Sequence, residues 1–227
     1  TATRSSPGKP PSPSAEPFIE AGSAGVRFSI VSADGDGGFP GELRVAVEYR
    51  LLEDGELRFH AVARTDRPSP VSLTNHAYWN LRGSGDVRPH RARLFASRRL
   101  ERRPDRVPTG RLLPLEGTRY DLRAPLDAPE RAGFPLEDFD DYFVADRPAG
   151  AGLSTIAEIL DPESGRRLEV ASNAPGFVFY TGDFAGCRGL CVEPSEYPDA
   201  PNRPEFPSSV IGTGESRTLD LVWRVGA

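Results

Sequence analysis

An all-β fold, a large antiparallel sandwich, is what this sequence predicts, and three observations carry it. Several runs alternate apolar and polar residues with a period of two. Gly and Pro occur 23 times each in 227 residues, which favours many turns over long helices. No stretch keeps a helical apolar stripe for three turns. A chain of this length forms one large domain readily when it is all-β.

The elements follow in order. Residues 1–17 are small, polar and proline-rich, and are expected to be a disordered tail or linker, with the ordered domain spanning 18–227. Over 42–52, Leu43, Val45, Val47, Tyr49 and Leu51 alternate with Arg44, Ala46, Glu48 and Arg50, the pattern of a half-buried strand. An Asp54-Gly55 turn leads into a second alternating run, Leu57, Phe59, Ala61 and Ala63, so the two are expected to pair as a hairpin. Apolar stretches at 168–170 and 177–180 read as further strands. So do Leu219, Leu221, Trp223 and Val225 near the C-terminus.

Net charge is −5, with no basic run interleaved with aromatics, so no nucleic-acid partner is expected. No apolar run reaches the length of a membrane span and no signal peptide opens the chain; no membrane partner and a cytoplasmic location are the expectation. The first residue is Thr, which leaves open whether this N-terminus is native. Cys187 and Cys191 are too few for a disulfide framework and have no neighbouring histidines for a zinc site, so they read as ordinary thiols near a loop.

Three histidines can be weighed singly. His60 falls on the polar face of a strand and His90 in a loop, and both read as solvated. His76 lies in Thr74-Asn75-His76-Ala77-Tyr78-Trp79-Asn80, among amides and aromatic rings. An imidazole there can exchange a proton near neutrality, and a ring face can stack on a sugar; a hydrogen-bonded core histidine is the other reading. Glu193, Glu196 and Asp199 form an acidic cluster among prolines, which reads as an irregular loop. Asp140-Asp141 is open to functional and solvated readings alike.

Several segments, in order, resemble the aldose 1-epimerase (galactose mutarotase) family. Asp34-Gly35-Asp36-Gly37-Gly38-Phe39-Pro40-Gly41 is similar to its "DGEEGYPG", and Leu73-Thr74-Asn75-His76-Ala77-Tyr78-Trp79-Asn80-Leu81 to "LTNHSYFNL". Gly117-Thr118-Arg119-Tyr120-Asp121-Leu122-Arg123 resembles "GTAFDLR", and Phe139-Asp140-Asp141-Tyr142-Phe143 resembles "FDHNF". Phe179-Tyr180-Thr181-Gly182-Asp183-Phe184 resembles "FYTGNF", and Val192-Glu193 with Tyr197-Pro198-Asp199-Ala200-Pro201-Asn202 resembles "LETQNYPDAVN".

The resemblance implies a galactose mutarotase-like supersandwich and an enzyme that interconverts the anomers of free aldohexoses without a cofactor or metal. Carried over by motif, His76 falls on the family's acid, Glu193 on its base and Asp140 on an aspartate that contacts sugar hydroxyls, with acid and base on opposite sides of one sugar. Asn75 and Tyr78 are expected to bind the sugar beside His76. The chain also departs from the family. The family's N-terminal hundred or so residues, with their "NRI" and "HGG" segments, have no counterpart, so the fold is expected to be N-terminally truncated. Val178 replaces a sugar-contacting glutamine, and the segment between Phe184 and Glu193 is short. A catalytically impaired sugar-binding homologue is the alternative reading, and a glycosidase using Glu193 and Asp140 a third. Neither the preferred sugar nor the oligomeric state is legible in the sequence.

Overall fold

A computed structural model describes residues 13–128, 135–148, 151–182 and 189–226. Fifteen strands run in chain order: β1 Ser14–Glu20, β2 Ser23–Ser32, β3 Leu43–Leu52, β4 Leu57–Thr65, β5 Ser69–Pro70, β6 Arg91–Leu94, β7 Ala96–Arg102, β8 Pro108–Pro114, β9 Asp140–Ala145, β10 Ser154–Leu160, β11 Arg167–Ser172, β12 Gly176–Tyr180, β13 Cys191–Ser195, β14 Val210–Ile211 and β15 Ser216–Gly226. They form an eight-stranded sheet in the order β1-β2-β3-β4-β15-β11-β10-β6, a five-stranded sheet in the order β13-β12-β9-β7-β8, and the small pair β14-β5, with antiparallel pairing throughout. The hairpin read from the Asp54-Gly55 turn is present, with Leu51 opposite Leu57 and Gly55 at φ 83°.

The two large sheets bury one core between them. Phe59, Ala61, Leu168, Val170, Leu219, Leu221 and Trp223 from the eight-stranded sheet meet Phe143, Phe177, Phe179 and Val192 from the five-stranded one. Period-two alternation fixes this: once 143, 177, 179 and 192 face the core, Asp140, Tyr142, Val178, Tyr180, Cys191 and Glu193 must point to the opposite face. A smaller cluster of Leu100, Tyr142, Val144, Ala200 and Phe206 covers part of that outer face.

Two boundaries differ from the sequence reading. Residues 14–17, expected in a disordered tail, belong to β1 and pair with Val26, Arg27, Phe28 and Ser29 of β2. Backbone pairing at an edge asks little of the side chains, so a polar, proline-containing segment can join a sheet without an apolar face; residues 1–12 lie outside the described residues. Glu193 and Pro194, expected in an irregular loop, lie in β13. Since β13 is the edge of its sheet, a proline costs it no ladder bond on the open side. Among the described residues no helix is long and apolar enough to cross a membrane.

Candidate active site

The loop that carries His76 is fastened to both sheets. A row of rings crosses the eight-stranded sheet, Phe28 to Tyr49 (6.3 Å), Tyr49 to Phe59 (5.1 Å) and Phe59 to Trp223 (6.2 Å), and Trp79 extends it at 6.0 Å from Trp223. At the other end, the Trp79 N–H donates to the Leu190 carbonyl at 2.8 Å and the Leu190 N–H returns a bond at 2.9 Å. Leu190 directly precedes β13, so this bridge sets His76 over the outer side of that strand.

Asn75 holds the loop shape. Its Nδ2 donates to the Tyr49 hydroxyl at 2.6 Å and its Oδ1 accepts the Ala77 N–H at 3.0 Å. Asn75 is buried and both ends of its amide are engaged within the protein, so the structure gives it an anchoring place rather than the sugar-facing one expected. Trp79 likewise packs into the core, and Tyr78, 47% exposed and stacked on His76 with ring centres 4.9 Å apart, is the ring that faces outward. Tyr180 of β12 closes the group edge-on, 6.4 Å from His76 and 6.3 Å from Tyr78.

His76 and Glu193, 117 positions apart in sequence, come together: Nε2 lies 3.4 Å from Oε1. The imidazole is 49% exposed and the carboxylate 15%. Burial pushes the Glu193 carboxyl above its ordinary value; His76 pulls it back and Asp140 adds to the rise. Asp140 sits across Tyr180 from Cys191 in the strand register, and its Oδ2 accepts from Arg106 Nη1 at 2.6 Å and Arg102 Nη1 at 3.2 Å. Its neighbour Asp141 points inward and is buried against Arg99 at 3.3 Å. Alternation along one strand thus separates two aspartates that residue type alone left alike.

His76 and Glu193 do not face each other across a cavity; they meet on one side, in direct contact. A cleft lined by Tyr49, Leu57, Asn75, His76, Tyr78 and Trp223 opens beside His76.

The remaining candidates fall outside this cluster. Glu196 is paired with Arg217 at 2.9 Å, and Asp199 accepts from Asn202 (2.6 Å) and Arg203 (3.1 Å). His60 is exposed, as expected, with Nδ1 2.6 Å from Asp220. His90, expected to be solvated, is fully buried; the Leu81 N–H donates to its Nε2 at 3.1 Å. A loop residue enters the core here because its ring supplies the acceptor that a buried backbone N–H needs. Cys187 lies outside the described residues. Cys191 is no loop thiol: it is buried in β13, with Sγ 3.4 Å from His76 Nδ1. Sequence reasoning missed Cys191 and the Arg102–Arg106 pair, since only sheet register shows that 191, 180 and 140 share a row.

An antiparallel sandwich thus presents a histidine and a glutamate in contact, with two tyrosines beside the imidazole, a set of side chains suited to acid–base chemistry. The family model described as aldose 1-epimerase matches residues 15–224, and the chain belongs to that family. It is 37% identical to galactose mutarotase of Rattus norvegicus over 209 residues, covering 85% of this chain and 60% of that protein. It is 34% identical to aldose 1-epimerase of Escherichia coli K12 over 203 residues, 80% of this chain and 58% of that one. Among solved structures, a GalM/aldose epimerase homologue from C. elegans superposes with a TM-score of 0.80 at 26% identity, covering 93% of this chain and 68% of that one. The chain therefore spans about 60% of the length of the curated relatives it matches.

Proposed function

We propose that the chain interconverts the α and β anomers of a free aldohexose by general acid–base ring opening, with His76 as acid and Glu193 as base. The observation that carries this is the 3.4 Å contact between His76 Nε2 and Glu193 Oε1 on an open face of the sheet. The Glu193 carboxylate takes the proton of the anomeric hydroxyl as the C1–O5 bond breaks, and His76 delivers a proton to the departing ring oxygen. Rotation about C1–C2 turns the other face of the aldehyde toward O5. Reclosure runs the transfers in reverse: His76 recovers its proton and Glu193 returns one to O1, so neither group is consumed. Tyr78 and Tyr180 offer ring surface to the sugar's C–H face, and Asp140 accepts from its hydroxyls. The relatives named galactose mutarotase and aldose 1-epimerase support this chemistry.

Polarimetry of freshly dissolved α-D-glucose or α-D-galactose, corrected for spontaneous mutarotation, tests the assignment. His76→Ala and Glu193→Gln should each lower kcat by about 10²- to 10⁴-fold, with smaller changes in KM. A His76→Ala protein with the full wild-type rate would refute the role given to it.

A further inference from the structure

The acid–base pair has a third neighbour that proton transfer does not use. Cys191 and Glu193 are two residues apart on one strand, so both side chains leave the same face, and the Trp79–Leu190 bridge brings His76 over them. One donor atom from each of the three, imidazole nitrogen, thiol sulfur and carboxylate oxygen, can be chosen so that all lie within 4.8 Å of one another. With Nδ1 as the imidazole donor, its separation from Sγ is 3.4 Å; the 3.4 Å contact of Oε1 is to the other ring nitrogen, Nε2. Around a tetrahedral zinc, bonds of about 2.0–2.3 Å place neighbouring donors roughly 3.3–3.6 Å apart. The cluster needs to draw in by only about 1 Å to meet that geometry.

We propose that His76, Cys191 and Glu193 form a binding site for one thiophilic divalent cation, Zn²⁺ foremost, which blocks the acid–base pair. The donor set selects the ion. A sulfur, a nitrogen and a single oxygen suit borderline-soft Zn²⁺, Co²⁺ or Cd²⁺, whereas Mg²⁺ and Ca²⁺ demand an oxygen shell that the three side chains do not provide. On binding, Cys191 releases its thiol proton to solvent, and thiolate and carboxylate together balance the two positive charges. The half-exposed imidazole is the way in, and three protein ligands leave the fourth position to water. Glu193 committed to a metal cannot take a proton, and His76 ligated through one nitrogen is no longer the imidazolium that donates. The inhibition therefore rests on the acid–base reading of this site; the binding does not.

The experiment uses the full chain, stripped with a chelator and desalted. Titration with Co²⁺ should raise a thiolate-to-cobalt charge-transfer absorption that saturates at one ion per chain, that Zn²⁺ displaces, and that Mg²⁺ leaves untouched. Cys191→Ser should abolish the band and Cys187→Ser should keep it. Glu193→Gln and His76→Gln preserve bulk and should each weaken Co²⁺ binding by tenfold or more, which decides the matter should Cys191→Ser fail to fold. In polarimetry, one equivalent of Zn²⁺ should stop anomer interconversion and chelator should restore it. Absence of the band, its persistence in Cys191→Ser, or unchanged affinity in both Gln variants overturns the site. Full activity with zinc bound overturns the inhibition. A chain that binds Co²⁺ through Cys191 but never mutarotates a sugar upholds the site and counts against the proposed activity.

Discussion

At the scale of single residues, the sugar-binding role proposed for Asp140 turns on how its carboxylate is held. Arg102 and Arg106 both donate to its Oδ2, which leaves Oδ1 without a bond to either guanidinium. Arg106 adopts a left-handed φ of 69°, and its guanidinium reaches Asp140 from there. A carboxylate steadied this way can accept a sugar hydroxyl in ground and transition states alike, and uniform binding shows in KM rather than kcat. Asp140→Ala is expected to raise KM by about 10- to 100-fold, the worth of a hydrogen bond to a charged group, while kcat changes little. Saturation curves from polarimetry decide this: a fall in kcat at unchanged KM would move Asp140 into the proton-transfer machinery.

At the scale of elements, the site exists because a short loop is tied at both ends. Tyr49 is half of that tie: its ring belongs to the aromatic row and its hydroxyl accepts the Asn75 amide at 2.6 Å. Tyr49→Phe keeps the ring and strips Asn75 of its acceptor, at a cost of about 1–3 kcal/mol for a polar group left unpaired. The melting temperature should drop by several degrees. The rate constant kcat should drop with it, since His76 follows Asn75 directly in the chain. A variant that loses stability at unchanged kcat would show that the tie serves the fold alone. A second constraint lies where the chain leaves β12: Gly182 takes φ 68°, and a Cβ there would stand 2.0 Å from the Gly189 carbonyl oxygen, so only glycine fits. These ties also mark what was legible in the sequence. Alternation exposed β3, β4 and β15, because period two is written into single strands. The loop-anchoring contact of Asn75 was not legible because an amide that binds a ligand and an amide that anchors a loop look alike until the partner, Tyr49, is known. Cys191 stayed invisible because its meaning depends on His76, 115 positions away, and no local pattern encodes that pairing.

At the scale of the whole molecule, a buried polar cluster joins the loop after the site to the β10–β11 turn. Arg82 Nη2 donates to Asp161 Oδ1 at 3.0 Å, the Ser164 N–H donates to Asp161 Oδ2 at 3.0 Å, and His90 Nδ1 lies 4.0 Å from the same carboxylate. Because the Leu81 N–H occupies Nε2, the neutral ring carries its proton on Nδ1, toward Asp161. Hydrogen bonds from Ser164 and Arg82 overcome the effect of burial and hold the Asp161 carboxyl well below 3.8. For His90, burial outweighs the attraction of Asp161 and Asp86, Arg82 opposes protonation too, and its pKa falls below 6.5. The signs agree. Below pH 6.5 the unfolded chain protonates this histidine and the folded chain does not, so stability declines as pH falls toward the folded value. The stabilisation from Asp161 is full above 3.8 and is lost below it. Glu193 and Glu196, whose carboxyls burial pushes up, tilt the profile the other way above 4.5, so the wild-type curve alone cannot isolate His90. The difference from His90→Gln can, since glutamine still offers an acceptor to the Leu81 N–H and takes up no proton. The wild type should melt higher at pH 7.5, and its advantage should shrink steadily between pH 6.5 and 5 as only the wild type pays the protonation cost. Melting curves for the two proteins that run parallel across that range would show that the buried imidazole protonates as readily folded as unfolded, and His90 would then have no part in the protein's acid sensitivity.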